Sequence, residues 1–174
     1  MNIAPLKEQY LSRYDELAGE SGTIFNSTKW ISLFGNKIRP IGIYNDNEEL
    51  IGGFHLYTEK KFGLTVCRNA PFTPHCGPFL KIVAKNPVAI RDNWKKALSL
   101  MARYIESLSL AVVSISLDNH IIDTQPFFWR EFKVIPGYTY LIDLALPVDA
   151  ILKNMSPERR NDIKKGERSG INVD

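Results

Sequence analysis

Apolar and polar positions alternate with two different periods along this 174-residue chain. Ile3, Leu6, Tyr10, Tyr14 and Leu17 recur at steps of three and four, which predicts a first amphipathic helix stopped by Gly19 and Gly22. Asn26 or Ser27 is placed to cap a short second helix carrying Trp30, Ile31 and Phe34 and ending near Gly35. The period then shortens to two. Ile41 and Ile43 alternate in a strand, Asn45-Asp46-Asn47 is a turn, and Leu50 to Tyr57 is a second strand. In that strand Gly52-Gly53 marks a bulge or a close backbone approach. Leu64 to Arg68 reads as a third strand, paired across the turn near Lys61-Phe62-Gly63.

Pro71, Pro74 and Pro78 stiffen an irregular loop holding Thr73, His75, Cys76 and Gly77. Asn86-Pro87 then opens the longest helix, a cap followed by proline at the first helical position, with Ile90, Trp94, Ala97, Met101, Ile105 and Leu108 as its apolar stripe. Val113, Ile115 and Leu117 alternate with serines in a half-buried strand. Pro126 to Arg130 is a short helical turn, and Phe127, Phe128, Trp129 and Phe132 form an aromatic cluster expected in the core. Tyr138 to Leu144 is the last alternating run. Pro147 marks a boundary, beyond which two helical segments and the beginning of a strand at Ile171 to Val173 follow.

The hydrophobic content, 44%, is that of an ordinary globular protein, and the net charge of +3 permits a polyanionic partner without requiring one. Cys67 and Cys76 supply neither a disulfide framework nor a metal-ligand spacing. No apolar run approaches the roughly 20 residues of a membrane span, and Met1 to Pro5 does not read as a signal peptide, so a reducing, cytoplasmic setting is expected. The sequon at Asn26-Ser27-Thr28 is then read as a helix cap rather than a glycan site.

Chemistry-bearing residues are few. Ser156 caps a helix with Pro157 at its first position, and Arg160, Lys164 and Arg168 fall at i, i+4 and i+8 on one edge, with Arg159 and Lys165 beside them. Six basic residues stand against three acidic ones between 153 and 168. That edge is either a phosphate contact or a solvated helix face. His75 and Cys76 are adjacent in an extended loop and so point opposite ways, a poor geometry for a nucleophile and its base. His55 reads as an exposed strand histidine. His120, with Asp118 and Asp123, follows the end of a strand, where sites often form, though a plain polar loop has the same composition.

The run from Tyr138 through Asp143-Leu144, the short helix after Pro147, the basic helix and Gly170-Ile171 resemble a segment of the Fem-type (FemAB) aminoacyltransferases. The likeness is looser upstream, in the helix with Trp30, the meander with Gly52-Gly53 and the loop ending Gly77-Pro78. The resemblance implies an α+β, GNAT-like half-domain over residues 1–146, with a mixed, mostly antiparallel sheet flanked by helices, and the helical start of a second such domain over 147–174. It implies transfer of an amino acid from aminoacyl-tRNA to the amine of a nucleotide- or lipid-linked peptidoglycan precursor, without cofactor or metal. Arg159, Arg160, Lys164, Lys165 and Arg168 would be its phosphate contacts.

Two features depart from the Fem pattern. Phe34 stands one turn after Trp30, where such enzymes often carry lysine, and the reactive cleft of the family lies largely in the second half-domain. No catalytic residue is therefore assigned, and residues 1–174 alone are expected to be inactive. Two alternatives stand beside this reading. An acyl-CoA-dependent GNAT N-acyltransferase would need a pyrophosphate loop of the form Arg/Gln-x-x-Gly-x-Gly/Ala, and the chain contains no copy. A non-catalytic binding module is the other.

Overall fold

A computed structural model describes residues 1–171, so Asn172 and Val173 of the expected last strand lie outside the described residues. The chain divides into two compact units, 1–135 and 136 onward.

The first unit is built on one mixed sheet. β1 (Asn2–Pro5), β2 (Ile38–Tyr44), β3 (Leu50–Lys61) and β4 (Leu64–Arg68) are neighbours in that order, all antiparallel. β5 (Phe79–Leu80) pairs with β3 at Gly52 and Gly53, along the same edge as β4. β6 (Val112–Ser114) closes the order beside β4, and this pair is parallel. The α+β class and the mixed, mostly antiparallel sheet expected from sequence are both present.

Helices cover both faces. α3 (Pro87–Glu106) lays Ala97, Leu98, Met101, Ala102 and Ile105 over Ile41, Ile43, Phe54 and Leu56. Asn86 caps it, accepting the Val88 N–H at 2.8 Å. On the other face α1 (Leu11–Ser21) and α2 (Thr28–Ser32) bring Tyr14, Leu17, Ala18 and Ile31 against Ile38, Tyr44, Leu50, Tyr57 and Phe79. The register shift between Ile43 and Tyr44 leaves Ile51 as the extra residue of β3, so Leu50 faces the α1 core whereas Phe54 and Leu56 face the α3 core. Each fully buried large side chain contributes roughly 1.5–3 kcal/mol, so two such cores hold β3 at the centre of the unit. Gly52 and Gly53 are set by close approach. A Cβ on Gly52 would stand 2.3 Å from the Phe79 carbonyl oxygen, and one on Gly53 2.4 Å from the Tyr14 ring.

Several expectations are corrected. Ile3 and Leu6 do not lie on the first helix. Asn2–Pro5 is a strand on β2, and α1 begins only at Leu11. Pro5 supplies the reason, since it lacks an N–H and biases the residue before it toward extended backbone. The aromatic cluster is split: Phe127 is buried with Phe132 packed on it, whereas Phe128 and Trp129 are exposed. α4 itself is Gln125–Phe128. His55 is buried, not exposed, because β3 is covered on both faces.

In the second unit, Tyr138 to Leu144 is not a strand. It runs irregularly, with Tyr138 and Tyr140 almost wholly exposed, into a turn in which Asp143 Oδ1 accepts the Ala145 N–H at 3.0 Å. Alternation alone does not make a strand. Its backbone N–H and C=O groups need a neighbour, and among the described residues none pairs with this run. α5 (Val148–Asn154) and α6 (Pro157–Arg168) follow, with Ser156 capping α6. Gly170, at φ 73°, closes α6, and the Ile171 N–H returns to the Gly166 carbonyl at 3.2 Å.

Candidate active site

The sheet is interrupted where β4 ends. After Arg68 the chain leaves the ladder, makes an excursion through residues 69–75, and re-enters in line with β4 as β5. On re-entry it is held from both sides. The His55 N–H donates to the Cys76 carbonyl at 3.0 Å, the Cys76 N–H to the Ser116 carbonyl at 3.0 Å, and the Asp118 N–H to the Gly77 carbonyl at 2.9 Å. Asn69 bridges the gap, since its Oδ1 accepts the Ser116 N–H at 2.9 Å and its Nδ2 donates to the Pro74 carbonyl at 2.7 Å.

Neighbouring elements clamp the excursion. Ser27 caps α2 by accepting the Trp30 N–H at 3.2 Å, which sets Trp30 toward the loop. Trp30 Nε1 then donates to Thr73 Oγ1 at 3.0 Å, and that hydroxyl donates to the Pro71 carbonyl at 3.1 Å. Between Pro71 and Thr73, Phe72 sits at φ 56° with its side chain 93% exposed. A phenylalanine in that region of backbone space is strained by about 1–3 kcal/mol, and the hydrogen bonds of Thr73 on one side and Asn69 on the other hold it there.

The excursion turns His75 inward onto the residues after β6. Its Nε2 lies 3.2 Å from Asp118 Oδ2, and its Nδ1 accepts the Gly77 N–H at 3.2 Å. The other carboxylate oxygen, Asp118 Oδ1, accepts the His120 backbone N–H at 2.9 Å and meets His120 Nδ1 at 2.6 Å. Burial works to raise the Asp118 pKa, but the hydrogen bonds from His120 and the nearby His75 ring outweigh it and hold the carboxyl below its ordinary value. Asp118 is thus an anion and only an acceptor. The ring nitrogen hydrogen-bonded to it, His120 Nδ1, must donate. His75, whose Nδ1 accepts the Gly77 N–H, is the neutral Nε2–H form, and burial lowers its pKa, outweighing the attraction of Asp118. In neutral His120 the proton sits on Nδ1, which leaves Nε2 as the free basic atom of a ring that is 81% exposed, behind which stands a carboxylate 8% exposed. This is an imidazole oriented by a buried carboxylate, the arrangement of a general base.

The remaining candidates fall away on burial. His55 has no partner for either ring nitrogen among the described residues, and desolvation, then the neighbouring His75, pushes its pKa down to about 4. Burial pushes the Cys67 thiol up to about 11, and burial followed by the neighbouring Cys67 pushes Cys76 further still, so neither supplies a thiolate nucleophile. Asn26 is buried, with its Oδ1 accepting the Thr23 N–H at 3.1 Å, which takes the sequon out of reach of any modification. Grooves of ≈ 580 Å³ and ≈ 470 Å³ lie along the outer side of α3, and neither contains His75, Asp118 or His120. Among the described residues no His, Cys, Asp and Glu cluster could hold a metal ion.

Arg159, Arg160, Lys164, Lys165 and Arg168 all lie on α6, in the second unit. Arg160 is half-buried and the other four are exposed, with Arg159 paired to Asp162 at 3.1 Å. The Asp118-x-His120 spacing after a strand was visible in the sequence. The partner 43 positions earlier, His75, was not, because only the excursion brings it there.

At the opening of α3 the free backbone donors are few. Asn86 occupies the Val88 N–H, Pro87 has none, and residues 81–86 contain no glycine.

No family profile matches the chain, and no curated protein matches it. Solved structures do. The ribosomal-protein-alanine N-acetyltransferase of Brucella melitensis biovar Abortus 2308 superposes with a TM-score of 0.50 at 13% identity, covering 83% of this chain and 100% of that one. The fold is that of the GNAT acetyltransferases. An acetyltransferase of Trypanosoma brucei gives 0.46 at 17% identity (82% and 99% covered). An aminoglycoside antibiotic 6'-N-acetyltransferase of Acinetobacter haemolyticus gives 0.43 at 12% identity (82% and 98% covered). Among the described residues no helix is long and apolar enough to cross a membrane.

Proposed function

We propose that the chain is an N-acyltransferase in which His120, oriented by Asp118, takes the proton of the attacking amine. The observation that carries this reading is the oriented imidazole at the interruption of the sheet, on a fold shared with an N-acetyltransferase. With an acyl-CoA donor, the amine nitrogen bonds to the thioester carbonyl carbon and the carbon–sulfur bond breaks. The amine proton passes to His120 Nε2, and the thiolate leaves to be protonated as the thiol. Oriented general bases contribute roughly 100- to 10,000-fold to such steps.

A second reading is favoured by the opening of α3, where Asn86 and Pro87 leave few donors for a pyrophosphate. It takes an aminoacyl-tRNA as donor, as in the Fem-type enzymes, with the carbon–oxygen bond of the ester breaking and the basic edge Arg160, Lys164 and Arg168 contacting phosphates. The acceptor would then be a peptidoglycan-precursor amine, with a second half-domain completing the cleft.

Incubation of the chain with acetyl-CoA and a panel of primary amines, followed by thiol release, separates the two. The first reading expects turnover that falls at least 100-fold in His120→Gln. The second expects no thiol release from this chain. Turnover unchanged by His120→Gln would remove His120 from the reaction.

A further inference from the structure

We propose that His75 is a positioning residue: it fixes the Asp118 carboxylate so that Oδ1 faces His120 Nδ1 and holds that exposed ring with Nε2 free. The proposal rests on the reading of His120 as the base.

The argument begins with the two carboxylate oxygens of Asp118. Oδ1 is used twice by His120, through its backbone N–H and its ring, whereas Oδ2 has the His75 ring as its near partner. A carboxylate turns easily about its Cβ–Cγ bond, whose torsion is broad and two-fold. A second contact on Oδ2 removes that freedom. His120 needs the help, because among the described residues its ring has Asp118 as its hydrogen-bond partner and is otherwise in solvent.

His75 is itself fixed from every side. The Gly77 N–H, delivered by the re-entering strand, takes Nδ1 and so places the proton on Nε2. Thr23 Oγ1 stands 3.4 Å from Nε2 and donates its own hydrogen to Asn26 Oδ1 at 3.1 Å, leaving a lone pair to share the imidazole proton with Asp118. The Phe25 ring packs edge-on at 5.7 Å between centroids. His55 on β3 is the other titratable group close enough to act on it, besides Asp118 and His120, and it is neutral. Neutral His75 orients the carboxylate without cancelling its charge, so Asp118 remains an anion for the imidazolium that forms when His120 accepts a proton.

Nitrogen-15 long-range NMR of the histidine rings tests this in the full chain. Near neutral pH the wild type should show His75 protonated on Nε2 and His120 on Nδ1, the less common form of an exposed imidazole. In His75→Leu, His120 should revert to the ordinary Nε2–H form. His75→Gln, whose amide can place an N–H where Nε2 stood, should keep His120 on Nδ1. In acyl transfer the leucine variant should lose roughly 10- to 100-fold in kcat at unchanged KM, with glutamine restoring most of it. A folded His75→Leu protein that keeps His120 on Nδ1 overturns the proposal. If that variant does not fold, the wild-type spectrum decides, and a His75 proton on Nδ1 overturns it equally. Ring forms as expected together with full activity in His120→Gln would uphold the positioning and remove the catalytic reading instead.

Discussion

Two polar regions of this protein are built on opposite plans. Around Asp118, titratable groups come from distant parts of the chain, His75 and the carboxylate are buried, and each contact constrains the next. Along α6, the charges come from consecutive turns of one helix, most are exposed, and the contact of Arg159 is with Asp162 three residues on. An imidazole backed by a buried carboxylate has a fixed direction and a fixed proton. A lysine on a solvated helix has neither, and its pairing is worth little in water. Basic density along a sequence is therefore a weaker sign of chemistry than a few polar groups forced inside.

The comparison is most exposed to acid. His55 is 1% exposed and neutral in the fold, with a pKa of about 4 against an ordinary 6.5. As pH falls below 6.5 the unfolded chain takes up a proton that the folded chain refuses, so stability declines until about pH 4 and then levels off for this group. Two and a half pH units correspond to about 3 kcal/mol. His75, lowered in the same direction, adds to the loss. Asp118, held below its ordinary value, contributes stability above that value and loses it as pH falls through the folded pKa. Urea unfolding from pH 7.5 to 4 should show the decline, and His55→Leu should flatten it. Parallel curves would mean that His55 is not the buried neutral group described.

The clamp on the excursion should show a smaller effect. Trp30→Phe removes the donor to Thr73 Oγ1 while keeping the ring that Phe25 meets edge-on at 5.1 Å. A loss of about 1 kcal/mol is expected from the missing hydrogen bond, together with faster amide exchange over residues 69–75. Unchanged exchange would mean that the loop is held by its prolines alone.

Smallest is the effect at α6. Arg160→Gln, Lys164→Gln and Arg168→Gln should each change stability by at most about 0.5 kcal/mol. If an aminoacyl-tRNA is the donor, each should also reduce the salt slope of tRNA binding by roughly one. Identical slopes would leave the helix a solvated face and sharpen the contrast with Asp118.

Some of this was legible one residue at a time. Asn86-Pro87 announced α3, Ser27 announced α2, and Phe62-Gly63 announced the β3–β4 turn, because caps and turns are decided by groups within three or four positions of each other. Gly52-Gly53 declared a close approach, although not that Tyr14 and Phe79 would be what approached. Periodicity misled at Ile3 and Leu6, where it saw a helical face and overlooked the constraint of Pro5, and at Tyr138 to Leu144, where a strand pattern met no strand.

By itself, then, the sequence determined the capped helices, the β3–β4 turn and the basic edge of α6, and through its resemblance the α+β class, since caps, turns and helix faces depend on groups a few positions apart. Only the tertiary structure decided that His55 would be buried, that the excursion at residues 69–75 would carry His75 to Asp118, and that His120 would receive an oriented proton. Those outcomes depend on groups tens of residues apart meeting in a low-dielectric interior, where a partner, or its absence, sets the charge of each side chain.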